Sequence, residues 1–264
     1  MRKLLYLFLL FTSITLGQTI KNYFEPPKGY ERELLNDYSH WIIDQPIIVG
    51  ETVLTYNKYP VSGLNNVYVA KFDYDIGKKN LHQCADAAIY LNAKYHYSTG
   101  NLHNIKYHFN NGTPYYFSTY KENILPKYYG DKQKFINKKP SSNKRKIDGY
   151  LEIIWMYAGS YSLEKYDTYQ VNINDIQPGD IFIYGGFPGH VVSVVDVIVN
   201  KNGNKKFMLA QSYMPAQDQH ILLNPRKEFS VWHDLVSNEN EIITNGGNFN
   251  KTQLRRFINL KNER

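Results

Sequence analysis

The chain of 264 residues has one cysteine, Cys84. An intramolecular disulfide is therefore impossible, and so is any zinc site built from several thiolates. Long apolar runs are scarce. The longest unbroken one, Leu4 to Phe11, falls short of the ~20 residues that cross a bilayer as a helix. Acidic residues are outnumbered, 24 Asp and Glu against 31 Lys and Arg, for a formal charge of +7. Nucleic acid is excluded as a partner all the same, because the basic residues are not interleaved with aromatics on a recognisable module. No internal repeat occurs, so solenoid and propeller architectures drop out.

The N-terminus addresses the compartment. Arg2-Lys3 precedes the apolar run, and Thr12 to Gly17 forms a small-residue exit. That layout predicts a secretory signal peptide over 1–17, leaving a mature domain over 18–264 with a charge of +5. No cysteine follows the run, so lipid attachment there is excluded. The expected product is exported, periplasmic or secreted, without stable membrane insertion after processing. A lone thiol in an oxidising compartment is a liability unless it is buried or retained for its reactivity.

Local patterns outline the domain. Ser39 to Ile43, Ile47 to Tyr56 and Val67 to Phe72 read as strands. Asn80 and Gln83 have capping-box spacing, which predicts a helix over about 80–96 with Cys84 in its second turn. An aromatic and basic insertion follows at about 100–148. Its tyrosines, part of 24 in the chain, read chiefly as packing at the rim of a core, with a sugar-stacking surface as the alternative. A second helix is expected at about 149–158, started by Asp148. Strands then follow over 180–185 and 190–199, with Asn202-Gly203 turning the chain back into Phe207 to Tyr213.

The stretch Ile176 to Tyr184, followed by Pro188-Gly189-His190-Val191-Val192, places a histidine where a Gly-rich loop enters a buried strand. Such a histidine is held from below and open above. A thiol near a helix N-terminus is the natural partner, since free backbone N–H groups favour the thiolate. Cys84 fits as nucleophile and His190 as general base and acid, and a polar side chain on the next strand would orient the imidazole. A two-residue turn at Asn202-Gly203 puts Gln211 opposite Val194, on the His190 side but two pairs away. Asp196 shares that side but lies farther along the strand. Gln83, Asp86 and Tyr184 complete the candidate substrate and oxyanion residues. His82 and Cys84 are two positions apart, roughly 200° around a helix, so they cannot share a metal-ligand face. No metal or cofactor is expected.

The motif Ile176-Gln177-Pro178-Gly179-Asp180-Ile181-Phe182-Ile183-Tyr184 with Gly189-His190-Val191 resembles a segment of papain-like cell-wall cysteine peptidases of the NlpC and CHAP group. The order Cys84, His190, Gln211 agrees with theirs, although Gln83-Cys84-Ala85-Asp86 replaces their usual Asp-Cys-Ser-Gly. The chain is also similar to an uncharacterised family of exported bacterial proteins, through Gln83 to Ala87 and Ala210 to Gln217. The resemblance implies an α+β, papain-like fold with the cysteine helix packed on an antiparallel sheet. It also implies amide hydrolysis through a thioester, on an envelope peptide, glycan or lipid substrate. The alternative is a binding module of the same fold without catalysis.

Overall fold

A strand of eleven residues, His190–Asn200, lies at the centre of the computed structural model, which describes residues 17–129, 132–138, 146–235 and 240–261. The expected signal peptide, apart from Gly17, and Lys139 to Arg145 of the basic tract lie outside the described residues. Six of the central strand's eleven residues are valine, and its first nine residues are buried. A near-continuous β-branched run of this kind fits a strand covered on both faces.

The main sheet runs, in spatial order, Ile47–Val49, Tyr68–Phe72, His220–Leu222, Lys205–Gln211, His190–Asn200, Ile181–Tyr184, Leu254–Phe257 and Thr168–Gln170. Its pairings are antiparallel. Tyr30–Arg32 adds to the far end of the central strand, and Trp232–Asp234 to Lys205–Gln211. The architecture is thus α+β: a large antiparallel sheet with few helices.

Two layers cover the sheet. Val191, Val195 and Ile198 face the helix Cys84–Ser98 and the aromatic body beyond it. Val192, Val194 and Val197 face the other way, against Ile242, Phe249 and Leu254. The switch from even to odd positions between Val194 and Val197 marks a β-bulge, and the pairing register shifts there. The insertion is ordered as two hairpins, Lys106–His108 with Pro114–Tyr116 and Ile124–Tyr129 with Lys132–Asn137. Tyr107, Phe109, Tyr115, Phe117 and Tyr120 are buried, so most of these aromatics are core.

Several local expectations are corrected. Asp37–Ile43 is a helix capped by Asn36, whose side chain accepts from Ser39 N; this cap overrides the strand-like Trp41-Ile42-Ile43. The extended run at 47–56 is a strand only over Ile47–Val49. The second helix starts at Ile147, one residue before the expected Asp148 cap. The cysteine helix starts at Cys84 rather than Asn80, because Asn80 Oδ1 is used elsewhere, accepting from Ala216 N at 2.7 Å.

Asp180 pins the turn into Ile181–Tyr184. Its carboxylate accepts from Gln177 N and, at 2.7 and 2.9 Å, from the Arg256 guanidinium. Burial pushes its pKa up to about 6 despite Arg256. Removing one partner of a buried pair costs about 3–5 kcal/mol. Arg256→Ala is therefore expected to lose stability on that order in urea unfolding at pH 7.5. The raised pKa means the folded state holds its proton more tightly than the unfolded chain. The deficit should accordingly shrink as pH falls towards 4.5, where Asp180 is buried neutral.

Candidate functional site

Gln83, in extended conformation, is the N-cap of the cysteine helix, and Asp86 Oδ2 accepts from Gln83 N at 3.0 Å. This is half of a capping box, with the acid at the third helical position. Cys84 is consequently the first residue of the helix rather than part of its second turn. Its sulfur lies among unpaired N–H groups, where negative charge is best tolerated. Alanines at 85, 87 and 88 are buried and let the helix sit close to the sheet.

His190 opens the central strand. The glycine before it is required sterically: a Cβ on Gly189 would lie 2.1 Å from Ser160 Oγ and 2.7 Å from Tyr184 O. Three rings surround the imidazole. Tyr213 meets it edge-on at 5.0 Å, Phe249 stacks at 5.7 Å, and Tyr184, its partner across the ladder, lies at 6.4 Å. Its Nε2 hydrogen-bonds Gln211 Oε1 at 3.0 Å. A carboxamide oxygen only accepts, so Nε2 carries the proton and Nδ1 is the bare nitrogen. The pairing with Gln211 depends on the bulge: beyond it Ser193 faces Ala210, which sets Gln211 across from Val192 rather than Val194. The gap left by an unbroken hairpin is closed by one pair. Asp196, the other polar residue considered, is instead engaged by Arg32 at 2.8 Å.

The thiol comes from the helix layer and the imidazole from the opposite face, at the first residue of the strand. Cys84 lies where the Val191 backbone amide, one residue from His190, can offer a hydrogen bond that favours its thiolate. It makes none to the imidazole, whose ring bond goes to Gln211. Burial pushes the thiol up to about 11, with Asp86 adding to the rise and the amides of Val191, Ala85 and Cys84 opposing it. Burial also lowers His190, while the Gln211 bond acts against that. The resting pair is therefore neutral thiol and neutral imidazole, the protonation suited to proton transfer on attack rather than a standing ion pair. Gln83 Nε2 turns back towards Asn80 Oδ1 at 3.5 Å. Asp86 is buried, with Oδ1 unpartnered and its pKa raised well above the usual range, chiefly by burial.

One component has no counterpart in the sequence reading. The polar passage after Asn238 contains a hairpin, Glu241–Thr244 with Gly247–Asn250, which covers the histidine. A Cβ on Gly246 would fall 2.1 Å from Gln211 Oε1 and 2.8 Å from His190 Nε2. The hairpin thus shields the His190–Gln211 bond from water, and Phe249 shields the ring. The signal was Asn245-Gly246-Gly247, a turn sequence between two short β-favouring stretches. Behind the helix a second polar group is assembled: Tyr74 Oη donates to Gln219 Oε1 at 2.6 Å and lies 3.3 Å from His82 Nε2. Burial lowers His82 to about 3, so it is a neutral core histidine.

The fold and cluster define a mixed α+β domain with cysteine, histidine and glutamine gathered at one end of its central antiparallel strand. A family model, domain of unknown function 4846 (DUF4846), matches residues 20–256, and the chain belongs to that family. No curated protein and no solved structure matches it. Among the described residues, no helix is long and apolar enough to cross a membrane.

Two measurements check the site. Gly246→Ala should destabilise the protein by about 1–3 kcal/mol through overpacking, read as a lower melting temperature. His190 should titrate below 6.5 in an NMR experiment. Gln211→Ala, which removes the one interaction that raises it, should move the midpoint lower still, and Gln211→Glu should move it up.

Proposed function

We propose that this chain is an exported, papain-like cysteine hydrolase of the cell envelope. The reading is carried by one observation: a thiol at the first position of a helix lies against the backbone of Val191, the residue after a histidine whose ring is held by a shielded glutamine. Cys84 is the nucleophile in this reading. His190 accepts the thiol proton through its bare Nδ1 as sulfur attacks an amide carbonyl, then returns it to the leaving amine. Gln211 holds the ring and its tautomer, as the third member of such sites does. The oxyanion is received by the Cys84 backbone N–H, with Gln83 as second donor once its side chain turns from Asn80. Tyr184 lines the approach, and Asp86 supports the cap beneath the nucleophile. Water then resolves the thioester. The substrate class is an amide of a peptidoglycan stem peptide or a related envelope molecule.

The closed geometry favours a second reading, a binding module that keeps the fold without turnover. Cys84 and His190 are 9 % and 2 % exposed, and a thiol with a pKa of about 11 is protonated at neutral pH. Alkylation separates the two. For a hydrolase, iodoacetamide should label Cys84 in the folded protein at pH 7, and His190→Ala should slow labelling at least tenfold without lowering the melting temperature by more than a few degrees. A thiol that stays inert until denaturation, or labels equally fast without His190, removes the enzymatic reading.

A further inference from the structure

Positive charge is concentrated in one part of this chain. Residues 121–146 contain nine Lys and Arg against two acids, an excess equal to the +7 of the whole protein. The remainder is balanced. The described centre of this segment is the ribbon Ile124–Tyr129 with Lys132–Asn137. One face rests against the body: Tyr128 stacks on Tyr157 at 4.7 Å, and Phe135, itself still exposed, on Tyr115 at 5.7 Å. The alternation of a strand then directs Lys127, Tyr129, Lys132 and Lys134 outward. All four are exposed.

Lys127 stands directly opposite Lys134 in the ladder, and Tyr129 opposite Lys132. Like charges facing each other across a pair are destabilising. Here both ammonium groups lean on one ring, 4.8 and 5.9 Å from the Tyr129 centroid. None of the three lysines forms an ion pair with an acidic side chain among the described residues. An anion brought from outside would relieve this arrangement.

We infer that the outer face of this ribbon docks the protein on an anionic lipid bilayer. The chemistry selects that partner. The charges are lysines, flexible point charges without the planar fork that reads a defined carboxylate or phosphate. They surround a tyrosine, a residue that settles at the level of lipid headgroups. Such a face suits a continuous anionic plane. Lysine near such a surface contributes about 1 kcal/mol, roughly fivefold in partition. The inference is independent of the role of Cys84.

Vesicle sedimentation tests it with the full chain, using phosphatidylglycerol–phosphatidylcholine vesicles against phosphatidylcholine alone. The neutral vesicles report any contribution from the apolar N-terminal run. Binding should favour the anionic vesicles by at least tenfold at 50 mM salt and lose that preference at 500 mM, where screening shortens the reach of charge. Lys127→Gln/Lys132→Gln/Lys134→Gln should lower anionic binding at least tenfold while leaving the melting temperature unchanged or higher, since like-charge repulsion is removed. Tyr129→Ala should lower it less. Equal binding to both vesicle types, undiminished binding by the folded triple variant, or displacement by trace soluble polyphosphate would overturn the proposal, the last in favour of a soluble polyanion.

Discussion

Burial of the strand His190–Asn200 on both faces is the constraint from which the rest of the structure follows. A strand with water on one face would tolerate a register slip at modest cost. Here any slip exchanges the residues facing two separate apolar layers. The bulge between Val194 and Asp196 is fixed by that requirement: Val192 and Val194 keep one layer, Val197 returns to it, and Val191, Val195 and Ile198 stay in the other. The neighbouring strand has to follow, so Gln211 arrives beside His190.

The same burial governs the electrostatics. A closed environment disfavours charge on both the thiol and the imidazole, which moves their affinities for protons in opposite directions. What remains to bias the pair is local and directional: backbone amides at the helix start, and a carboxamide oxygen that settles which imidazole nitrogen is bare. The covering hairpin keeps that bond dry, and a hydrogen bond sheltered from water holds its geometry better than one exchanging with solvent. Access and chemistry are therefore in tension, because the residues that orient His190 also enclose it.

The insertion shows how one stretch can divide its labour by side-chain direction. In Ile124–Tyr129 and its partner strand, Tyr128 and Phe135 secure the ribbon to the body, while Lys127, Tyr129 and Lys134 face outward. The buried tyrosines explain why an aromatic-rich segment is mostly core, and the outward lysines explain why the charge is not dispersed among them.

The sequence by itself determined the strand-forming runs, the central Gly-rich entry to His190, the return strand bearing Gln211, and a helix carrying Cys84. These depend on periodicity, β-branching and turn residues, which act over a few positions. Tertiary structure decided what those signals could not. Asn80 has the chemistry of a cap, but Ala216 claims it, so the helix begins four residues later and Cys84 becomes its first residue. A bulge chosen by the two-sided core reset the pairing that brings Gln211 to His190. A polar passage with little hydrophobic pattern became the cover of the site, because Phe249 and Gly246 are defined by what they rest against. Contacts between residues far apart in the chain leave no local trace, and in this protein they set both the orientation of His190 and its isolation from water.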